Sequence, residues 1–232
     1  LAKVAISGLG GDELFAGYGH FGLLDSNAMS INFSKLYIKS LIGQIHRIRP
    51  NFLTEKLLFK ISSKAERLGM LRRLLNIFEI KSALNNRFST GLEENLINHY
   101  NLFLRKDADR IQQTSYAEIN GYLLSTLLRD SDIMSMSHGL ELRPLLLDHP
   151  LAEFAYSLPS NIKSGKFQNK RIFVESVSNY IPKELQKRPK MGFELPFVSW
   201  MAGELNNRFI ELLNSDNAKE IFLPSYLKSL IK

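Results

Sequence analysis

The sequence predicts a mainly helical fold that opens with a single β-strand. The run Val4-Ala5-Ile6 is short, apolar and largely β-branched, as buried strands are. From residue 14 onward, apolar residues recur at helical spacing along nearly the whole chain. With 232 residues, of which 44% are hydrophobic, the chain can bury a sizeable core as one large domain or two small ones.

The N-terminal strand is expected to find its sheet partners upstream of this chain. A lone strand leaves the N–H and C=O groups along its edges without hydrogen bonds. Leu1 is not a methionine, and the strand begins almost at once. We therefore expect the chain to be a piece of a longer protein.

Two segments of capping-box form predict where helices begin. In Thr90-Gly91-Leu92-Glu93 and Ser115-Tyr116-Ala117-Glu118, a hydroxyl residue is followed three positions later by glutamate, and an apolar periodic stretch comes next. We expect helices to begin near residues 91 and 116. The apolar face of the second would carry Ile119, Tyr122, Leu123, Thr126 and Leu127.

The segment between the strand and the first helix is a glycine loop, Ser7-Gly8-Leu9-Gly10-Gly11-Asp12-Glu13. A strand, small residues and a helix start form an anion-binding geometry, in which the backbone can approach a phosphate closely. The loop matches neither the dinucleotide-binding turn, nor the P-loop, nor the hydrolase elbow. Its two carboxylates suit Mg²⁺ held between protein and pyrophosphate. The alternative is that Asp12 and Glu13 favour the helix dipole and the glycines make a turn.

Several classes of site are excluded or disfavoured by composition. With no cysteine, this chain holds no disulfide, thiolate zinc site or cysteine nucleophile. The five histidines lack the close spacing of zinc ligands. No apolar stretch reaches the roughly 18 residues of a membrane span, and no signal peptide is visible, so we expect a cytoplasmic protein without a membrane partner.

Positive charge is concentrated between residues 35 and 87, where twelve Lys and Arg oppose three Glu, a net charge of +9. Interleaved apolar residues predict amphipathic helices with a basic outer face. Such a face could bind nucleic acid or an acidic membrane. Because no recognised nucleic-acid module accompanies the charge, a solvated helical face is the favoured interpretation, and nucleic acid is not an expected partner.

Charged residues also stand in an apolar context between residues 132 and 150. Glu141 and Arg143 lie between leucines, just before a run that looks buried. An isolated buried charge is so costly that we expect the two to bind a ligand or to form a structural ion pair. Asp148, followed by Pro150, predicts an N-cap with proline in the first turn of a helix.

A third segment, Lys187-Arg188-Pro189-Lys190-Met191-Gly192-Phe193-Glu194-Leu195-Pro196, places basic residues in a constrained loop. An ammonium group close to a phosphate or a developing oxyanion stabilises the charge of a transition state. Taken alone, the segment is typical of an exposed basic turn. Beside the glycine loop, Lys190 becomes a candidate catalytic residue.

These three segments, in this order, resemble the synthetase domain of the glutamine-dependent asparagine synthetase family over residues 1 to about 205. The family loop S-G-x-G-x-D-E-x-F-x-G-Y is matched by Ser7, Gly8, Gly10, Asp12, Glu13, Phe15, Gly17 and Tyr18. The segment D-x-M-S-M-x-x-x-L-E-x-R-x-P-x-L-D is matched, with Pro144 one place early, by Asp132, Met134, Ser135, Met136, Leu140, Glu141, Arg143, Leu146 and Asp148. The loop K-M-G-F-x-x-P is matched by Lys190, Met191, Gly192, Phe193 and Pro196.

The resemblance implies that residues 1–232 form the C-terminal part of an α/β ATP-pyrophosphatase domain, of the adenine nucleotide α-hydrolase type. It implies ATP and Mg²⁺ as cofactors and an acyl-adenylate mechanism, in which a carboxylate attacks the α-phosphate of ATP and ammonia then displaces AMP. The carboxylate substrate is a small molecule, and a glutaminase domain supplies the ammonia. The oligomeric state does not follow from the resemblance.

The resemblance also implies roles for individual residues. The ATP-binding residues would be Ser7, Gly8, Gly10 and Gly11, and the magnesium ligand would be Asp12. Lys190 would stabilise the phosphoryl and acyl transition states, with Glu13 and Asp132 as further catalytic candidates. The substrate-binding residues would be Glu141 and Arg143.

Two departures from the family pattern affect these expectations. The family's S-G-G-x-D-S pyrophosphate loop and its cysteine-dependent glutaminase domain are missing from the sequence, so we expect both upstream and the fragment alone to be inactive. Leu9 stands where asparagine-forming members usually carry an acidic residue, and leucine can do no acid or base work. Aspartate is therefore the first expected substrate, and another carboxylate or a lactam-forming substrate is the alternative. A non-catalytic helical binding module with a basic face is the second alternative.

Overall fold

The computed structural model describes residues 2–24, 33–48, 52–73, 75–164, 170–186 and 195–231. The strands are β1 (Val4–Ser7) and β2 (Glu141–Pro144). The helices are α1 (Gly11–Leu14), α2 (Phe33–Ile48), α3 (Phe52–Ile61), α4 (Lys64–Arg72), α5 (Ile77–Ala83), α6 (Asn86–Ser89), α7 (Leu92–Asn101), α8 (Arg110–Glu118), α9 (Arg129–Met136), α10 (His149–Ser157), α11 (Ser160–Lys163), α12 (Arg171–Ser176), α13 (Lys183–Gln186), α14 (Phe197–Ala202), α15 (Asn206–Asn214), α16 (Asp216–Ile221) and α17 (Pro224–Leu230). The mainly helical class predicted from the sequence is confirmed.

The chain divides into two compact units. The first comprises Leu1–Ile31, Phe59–Arg72 and Ile97–Arg188. The second comprises Asn32–Leu58, Arg73–Leu96 and Pro189–Lys232. Among the described residues, no helix combines the length and apolar character needed to cross a membrane.

The two strands pair in parallel within the first unit. Val4 lies opposite Glu141, and the register continues residue by residue to the end of both strands. The N-terminal strand thus finds a partner inside this chain along one edge, so the expectation that its partners lie upstream is wrong for that edge. The sequence analysis missed β2 because its four residues alternate charged with apolar or proline positions and give no apolar run.

The core of the first unit forms around α1 and the residue that follows it. Leu14, Phe15 and Ala155 are buried together. Partly buried side chains from the π-helical segment Ile119–Leu128, from α10 and from α12 pack against this cluster. The residues around α1 are therefore held by helical segments on both sides of β2 in the sequence. As predicted, Asp148 stands at the N-cap of α10 and proline in its first turn, although the Asp148 side chain makes no capping hydrogen bond.

The helix expected to begin near residue 116 begins at Arg110 instead. Asp109 is its N-cap, and the Asp109 carboxylate accepts from the N–H groups of Ile111 and Gln112 at 2.9 and 3.0 Å. Ser115 and Glu118, which resemble a capping box in sequence, lie inside α8 and are buried. The prediction is wrong because Asp109 and Gln112 form a capping box earlier in the chain.

The helix expected near residue 91 is confirmed, since α7 begins at Leu92. The residues of its supposed cap act elsewhere. Thr90 ends α6 and donates its hydroxyl to the carbonyl of Asn86 at 2.8 Å. Glu93 accepts from Lys39 at 3.1 Å and from Lys81 at 2.7 Å, so its carboxylate joins separate helices of the second unit.

Close backbone approach and carbonyl capping organise the second unit. A Cβ at Gly43 of α2 would lie 2.1 Å from Phe78 of α5, so only glycine lets these helices approach as they do. The side-chain amide of Asn85 donates to the carbonyls of Lys219 and Glu220 at 3.1 and 2.6 Å. These bonds satisfy carbonyls at the C-terminal end of α16, which its own helix leaves without partners.

The outward side of α2 is apolar. Tyr37, Leu41, Ile45 and Ile48 recur at helical spacing and are exposed. The buried side holds Gly43 and His46. The basic outer face predicted from the sequence is therefore wrong for the described side chains of α2, because Lys39 is largely buried against Glu93 and the exposed residues carry no charge.

One cation of the basic segment is buried in the first unit. Arg67 is fully buried, and its guanidinium donates to the carbonyls of Ser62, Leu24 and Lys60 at 3.1, 3.1 and 2.6 Å. Because backbone carbonyls satisfy the guanidinium inside the fold, Arg67 adds no charge to an outer face. The predicted basic face is wrong at this position also.

Replacement of Asp109 tests where α8 begins. Asp109→Ala removes the N-cap acceptor and is expected to lower the free energy of unfolding by about 1 kcal/mol. The matched variant Thr90→Ala removes a hydroxyl that caps no helix start and is expected to cost less than about 0.5 kcal/mol. Urea denaturation measures both changes. A larger loss in Thr90→Ala than in Asp109→Ala would contradict the assignment.

Lys163 is a buried lysine whose protonation is linked to stability. Its side chain is 0% exposed and donates from Nζ to the carbonyl of Tyr156 at 3.1 Å. Burial lowers the pKa of Lys163 to about 8. An unfolded lysine has a pKa of about 10.4, so between these values the unfolded chain keeps a proton that the folded protein has released. The contribution of Lys163 to stability therefore rises with pH across this window.

Comparison with Lys163→Met isolates this contribution. The free energy of unfolding of the parent protein minus that of the variant is expected to increase from pH 7 to pH 10. Denaturation at several pH values measures the difference, in which the titration of all other groups cancels. A difference that stays flat or falls would show that Lys163 does not titrate in this range.

Candidate functional site

The glycine loop connects β1 to α1 by a tight turn that depends on Gly10. Gly10 has φ 87°, in the left-handed region that favours glycine, and is the N-cap of α1. Its carbonyl accepts the first helical hydrogen bond, from the N–H of Leu14 at 3.0 Å. The predicted order of strand, small-residue loop and helix start is therefore confirmed.

The segment after β2 packs against this loop. A Cβ at Gly10 would lie 2.2 Å from Leu147 Cδ2, and one at Gly11 would lie 2.7 Å from Leu146 Cδ1. Gly8, in contrast, has no atom of the described residues within 4 Å of its Cβ position. The loop is thus closed by leucines on one side and open at Gly8, where another molecule could approach the backbone.

Ser7 ends β1 with a buried hydroxyl that lacks a hydrogen-bond partner in the part of the chain that the structure describes. Leaving a buried hydroxyl unsatisfied costs about 1–3 kcal/mol, and such groups are rare in native proteins. Small residues and a hydroxyl at a helix start are residue types that could hold a phosphate.

Asp12 forms an ion pair that the sequence did not reveal. Lys170 Nζ lies 3.0 Å from Asp12 Oδ1, and both side chains are partly exposed. Lys170 has φ 53°, a left-handed conformation that is rare for a residue with a side chain, and it is the N-cap of α12. Gly17 leaves room for the pair, because a Cβ there would lie 2.0 Å from Asp12 Oδ1. No local pattern around Lys170 signals this contact.

Glu13 points into the first unit. Its side chain is 1% exposed, and Oε1 accepts from the Tyr18 hydroxyl at 2.5 Å. Burial raises the pKa of the Glu13 carboxyl above its usual value, although the hydrogen bond from Tyr18 opposes the shift. Burial and the neighbouring carboxylate also raise the pKa of Tyr18. Glu13 is therefore placed for an internal hydrogen bond, whereas Asp12 faces the partly exposed side of the loop.

The predicted substrate residues Glu141 and Arg143 lie on β2, next to β1. They are 54% and 60% exposed, and Arg143 Nε donates to Glu141 Oε1 at 2.8 Å. This hydrogen bond and the opposite charge lower the pKa of Glu141 and raise that of Arg143. The expectation of a buried context is wrong, because alternate residues of a strand share one face and here that face is exposed. The structural ion pair that the sequence left open is formed.

Two other predicted catalytic residues are placed differently. Asp132 is exposed on α9, and its carboxylate has no hydrogen bond or ion pair within the described ranges. Lys190 lies outside the described residues. The pairing of β1 with β2 thus brings the glycine loop to the strand that carries Glu141 and Arg143, while Asp132 has no hydrogen bond or ion pair with these two residues within the described ranges.

Carboxylates and histidines do not assemble a complete metal centre in the described part of the chain, where no group of three such side chains lies together. Asp12 is the predicted ligand, and its side chain is partly exposed. Mg²⁺ commonly takes one or two protein carboxylates and completes its shell with water and phosphate oxygens. Asp12 fits that role as a single protein ligand. To bind Mg²⁺, its carboxylate would replace the contact with Lys170 by one with the metal ion.

Comparison with known proteins identifies the family of the chain. The model of the asparagine synthase family matches residues 1–232, and the chain belongs to this family. Asparagine synthetase [glutamine-hydrolyzing] 1 of Bacillus subtilis is 23% identical over 245 aligned positions, which cover 99% of this chain and 36% of the relative. The chain therefore spans about a third of that relative's length.

Two further relatives match shorter stretches. A Mycobacterium tuberculosis protein, whose name also refers to a glutamine-hydrolysing asparagine synthetase, is 29% identical over 98 residues, or 42% of this chain and 15% of the relative. Amidase chry2 of Gibberella zeae is 25% identical over 118 residues, or 48% of this chain and 18% of the relative. No solved structure matches the chain significantly.

Alanine substitutions at two glycines test the geometry of the loop. Gly10→Ala forces a side chain into a left-handed conformation and against Leu147, so the free energy of unfolding is expected to fall by more than about 1 kcal/mol. Gly8→Ala adds a methyl group where no described atom lies within 4 Å, and it is expected to change the free energy of unfolding by less than about 0.5 kcal/mol. Chemical denaturation of both variants measures these changes in the free energy of unfolding. Equal losses would contradict the described turn.

Proposed function

We propose that the chain forms part of an enzyme that makes an amide through an acyl-adenylate, with ATP as the activating substrate. The observation that carries the proposal is a Ser7 hydroxyl without a partner among the described residues, beside a glycine loop whose Gly8 has no described atom within 4 Å of its Cβ position, in a chain of the asparagine synthase family. The chain would be the C-terminal part of an ATP-pyrophosphatase domain whose pyrophosphate loop lies elsewhere in the protein. We place this enzyme in the cytoplasm.

The chemistry explains why phosphate-binding groups are required. A carboxylate is a poor electrophile at neutral pH. Its oxygen attacks the α-phosphorus of ATP, a new O–P bond forms, and the bond to pyrophosphate breaks. The nitrogen of ammonia then attacks the acyl carbon, the C–O bond to AMP breaks, and the nitrogen loses a proton. Mg²⁺ bound at Asp12 would offset the charge of the departing pyrophosphate.

Some residues of this chain would bind the phosphates of ATP, and others would stabilise negative charge. Ser7 would donate its hydroxyl to a phosphate oxygen, and the backbone from Gly8 to Gly11 would approach the same group. Lys170, already within 3.0 Å of Asp12, would add a positive charge beside the phosphates. Lys190 is proposed as the cation that stabilises the phosphoryl and acyl transition states.

Aspartate is the first proposed substrate, with nitrogen from ammonia released by a glutaminase domain. Leu9 favours a second candidate within the same chemistry, a relative that amidates another carboxylate or closes a lactam. A leucine in the glycine loop offers no acid or base to the substrate. The names of the relatives, which include an amidase as well as asparagine synthetases, are compatible with a range of carboxylates.

Exchange of pyrophosphate into ATP by the full-length protein tests the proposal. Exchange should depend on a carboxylate, and on aspartate if asparagine is the product. Lys190→Ala is expected to reduce it by about a hundredfold or more, because a transition-state cation is lost. The control Lys183→Ala removes an exposed lysine of α13 and should leave exchange unchanged.

The outcomes separate the candidates. Exchange with another carboxylate but not with aspartate would replace asparagine synthesis by the second candidate. No exchange with any carboxylate would contradict acyl-adenylate formation. Equal effects of the Lys190→Ala and Lys183→Ala variants would remove the catalytic role of Lys190.

A further inference from the structure

A polar network that is buried at both carboxylates and partly buried between them connects the glycine loop to α8. Its members are Glu13, Tyr18, His20, Arg72 and Glu118, all in the first unit. The site chemistry proposed above uses none of these contacts, and only Glu13 was predicted as a site residue. The proposed chemistry therefore does not explain why these five side chains are held together.

Glu118 is the buried anion at one end of the network. It is 4% exposed and accepts from His20 Nε2 at 2.7 Å. Arg72 donates to both of its oxygens, with contacts of 2.7 to 3.1 Å from Nε and Nη2. Burial raises the pKa of Glu118, but the bonds from His20 and Arg72 outweigh it and hold the pKa below its usual value. The carboxylate is thus ionised and held in one orientation.

Two aromatic rings contact the Arg72 guanidinium. Its guanidinium carbon lies 4.1 Å from the centroid of the Tyr18 ring and 4.0 Å from that of Tyr122 in the π-helical segment. A guanidinium that stacks between rings and makes a forked contact with a carboxylate has little freedom to turn. The Tyr18 ring, which also stacks on His20 at 5.3 Å, is fixed with it.

Tyr18 connects Arg72 to the glycine loop. Its hydroxyl donates to Glu13, whose backbone lies in the first turn of α1, two residues after Gly11. Helix α8 holds the same residue a second time, because the Ser115 hydroxyl donates to the carbonyl of Glu13. Both connections from α8 therefore end at Glu13, next to the proposed phosphate site.

We infer that Arg72 and Glu118 are positioning residues that act through Tyr18 and Glu13 to set the glycine loop for the phosphates of ATP. Burying charge is a poor way to gain stability alone, since apolar residues of similar volume often serve as well or better. Directional hydrogen bonds, in contrast, specify a single arrangement. The inference rests on the proposed function.

The variant Tyr18→Phe tests this inference with little disturbance. It keeps the ring between Arg72 and His20 and removes only the hydroxyl that reaches Glu13. The KM for ATP is expected to rise about tenfold, while the KM for the carboxylate stays unchanged. Glu118→Gln, which keeps the shape but removes the charge that holds Arg72, is expected to act in the same direction.

A control and a stability measurement distinguish positioning from simple support of the fold. Glu220→Gln breaks an ion pair with Arg87 that is exposed in the second unit, and it should change neither KM. Melting temperatures show that each variant is folded at the assay temperature. If Glu118→Gln does not fold, Tyr18→Phe decides alone.

The outcomes for the full-length protein are distinct. A raised KM for ATP in the folded Tyr18→Phe variant, with the control unchanged, supports positioning. A lower melting temperature with unchanged KM values shows that the network only stabilises the fold and overturns the inference, while exchange by the parent protein leaves the proposed function intact. Failure of the parent protein to bind Mg²⁺-ATP in calorimetry overturns both.

Discussion

Parallel pairing of β1 with β2 is the contact on which the candidate site depends. Parallel strands end at the same edge of a sheet, so the glycine loop after β1 and the leucine turn after β2 meet there. Leu146 and Leu147 then pack where Gly10 and Gly11 have no side chains. A parallel pair needs a long crossover, and the helices between the strands supply it. The loop is therefore shaped by a segment far along the chain.

Helix α8 adds a second constraint on the same loop. Ser115 and Glu118 are polar residues buried inside a helix, and burial would be costly without partners. Ser115 donates directly to the carbonyl of Glu13 in α1. Glu118 is connected to the same region through Arg72 and Tyr18. The polar side chains thereby connect α8 to the loop by directional bonds, while the apolar cluster of Leu14 and Phe15 supplies contact without direction.

Local sequence predicted the elements whose signals are local. The β-branched run gave β1, the small residues gave the loop, and the Asp148 pattern located the start of α10. The same reasoning misplaced the start of α8, because Ser115 and Glu118 have capping-box spacing whether or not they stand at a helix end. It also missed β2 and Lys170, whose contacts with Val4 and Asp12 join distant parts of the chain and leave no local periodicity.

The sequence by itself determined the family, the mainly helical class and the order of strand, glycine loop and helix, since these follow from residue types and short spacings. Only the tertiary structure decided that Glu141 and Arg143 pair on an exposed strand, that Asp12 contacts Lys170 and that Glu13 turns inward to Tyr18. The reason is physical. A carboxylate has the same chemistry whether it is exposed or faces inward. Its burial and the nearest hydrogen-bond donor decide its role, and both depend on remote segments of the chain.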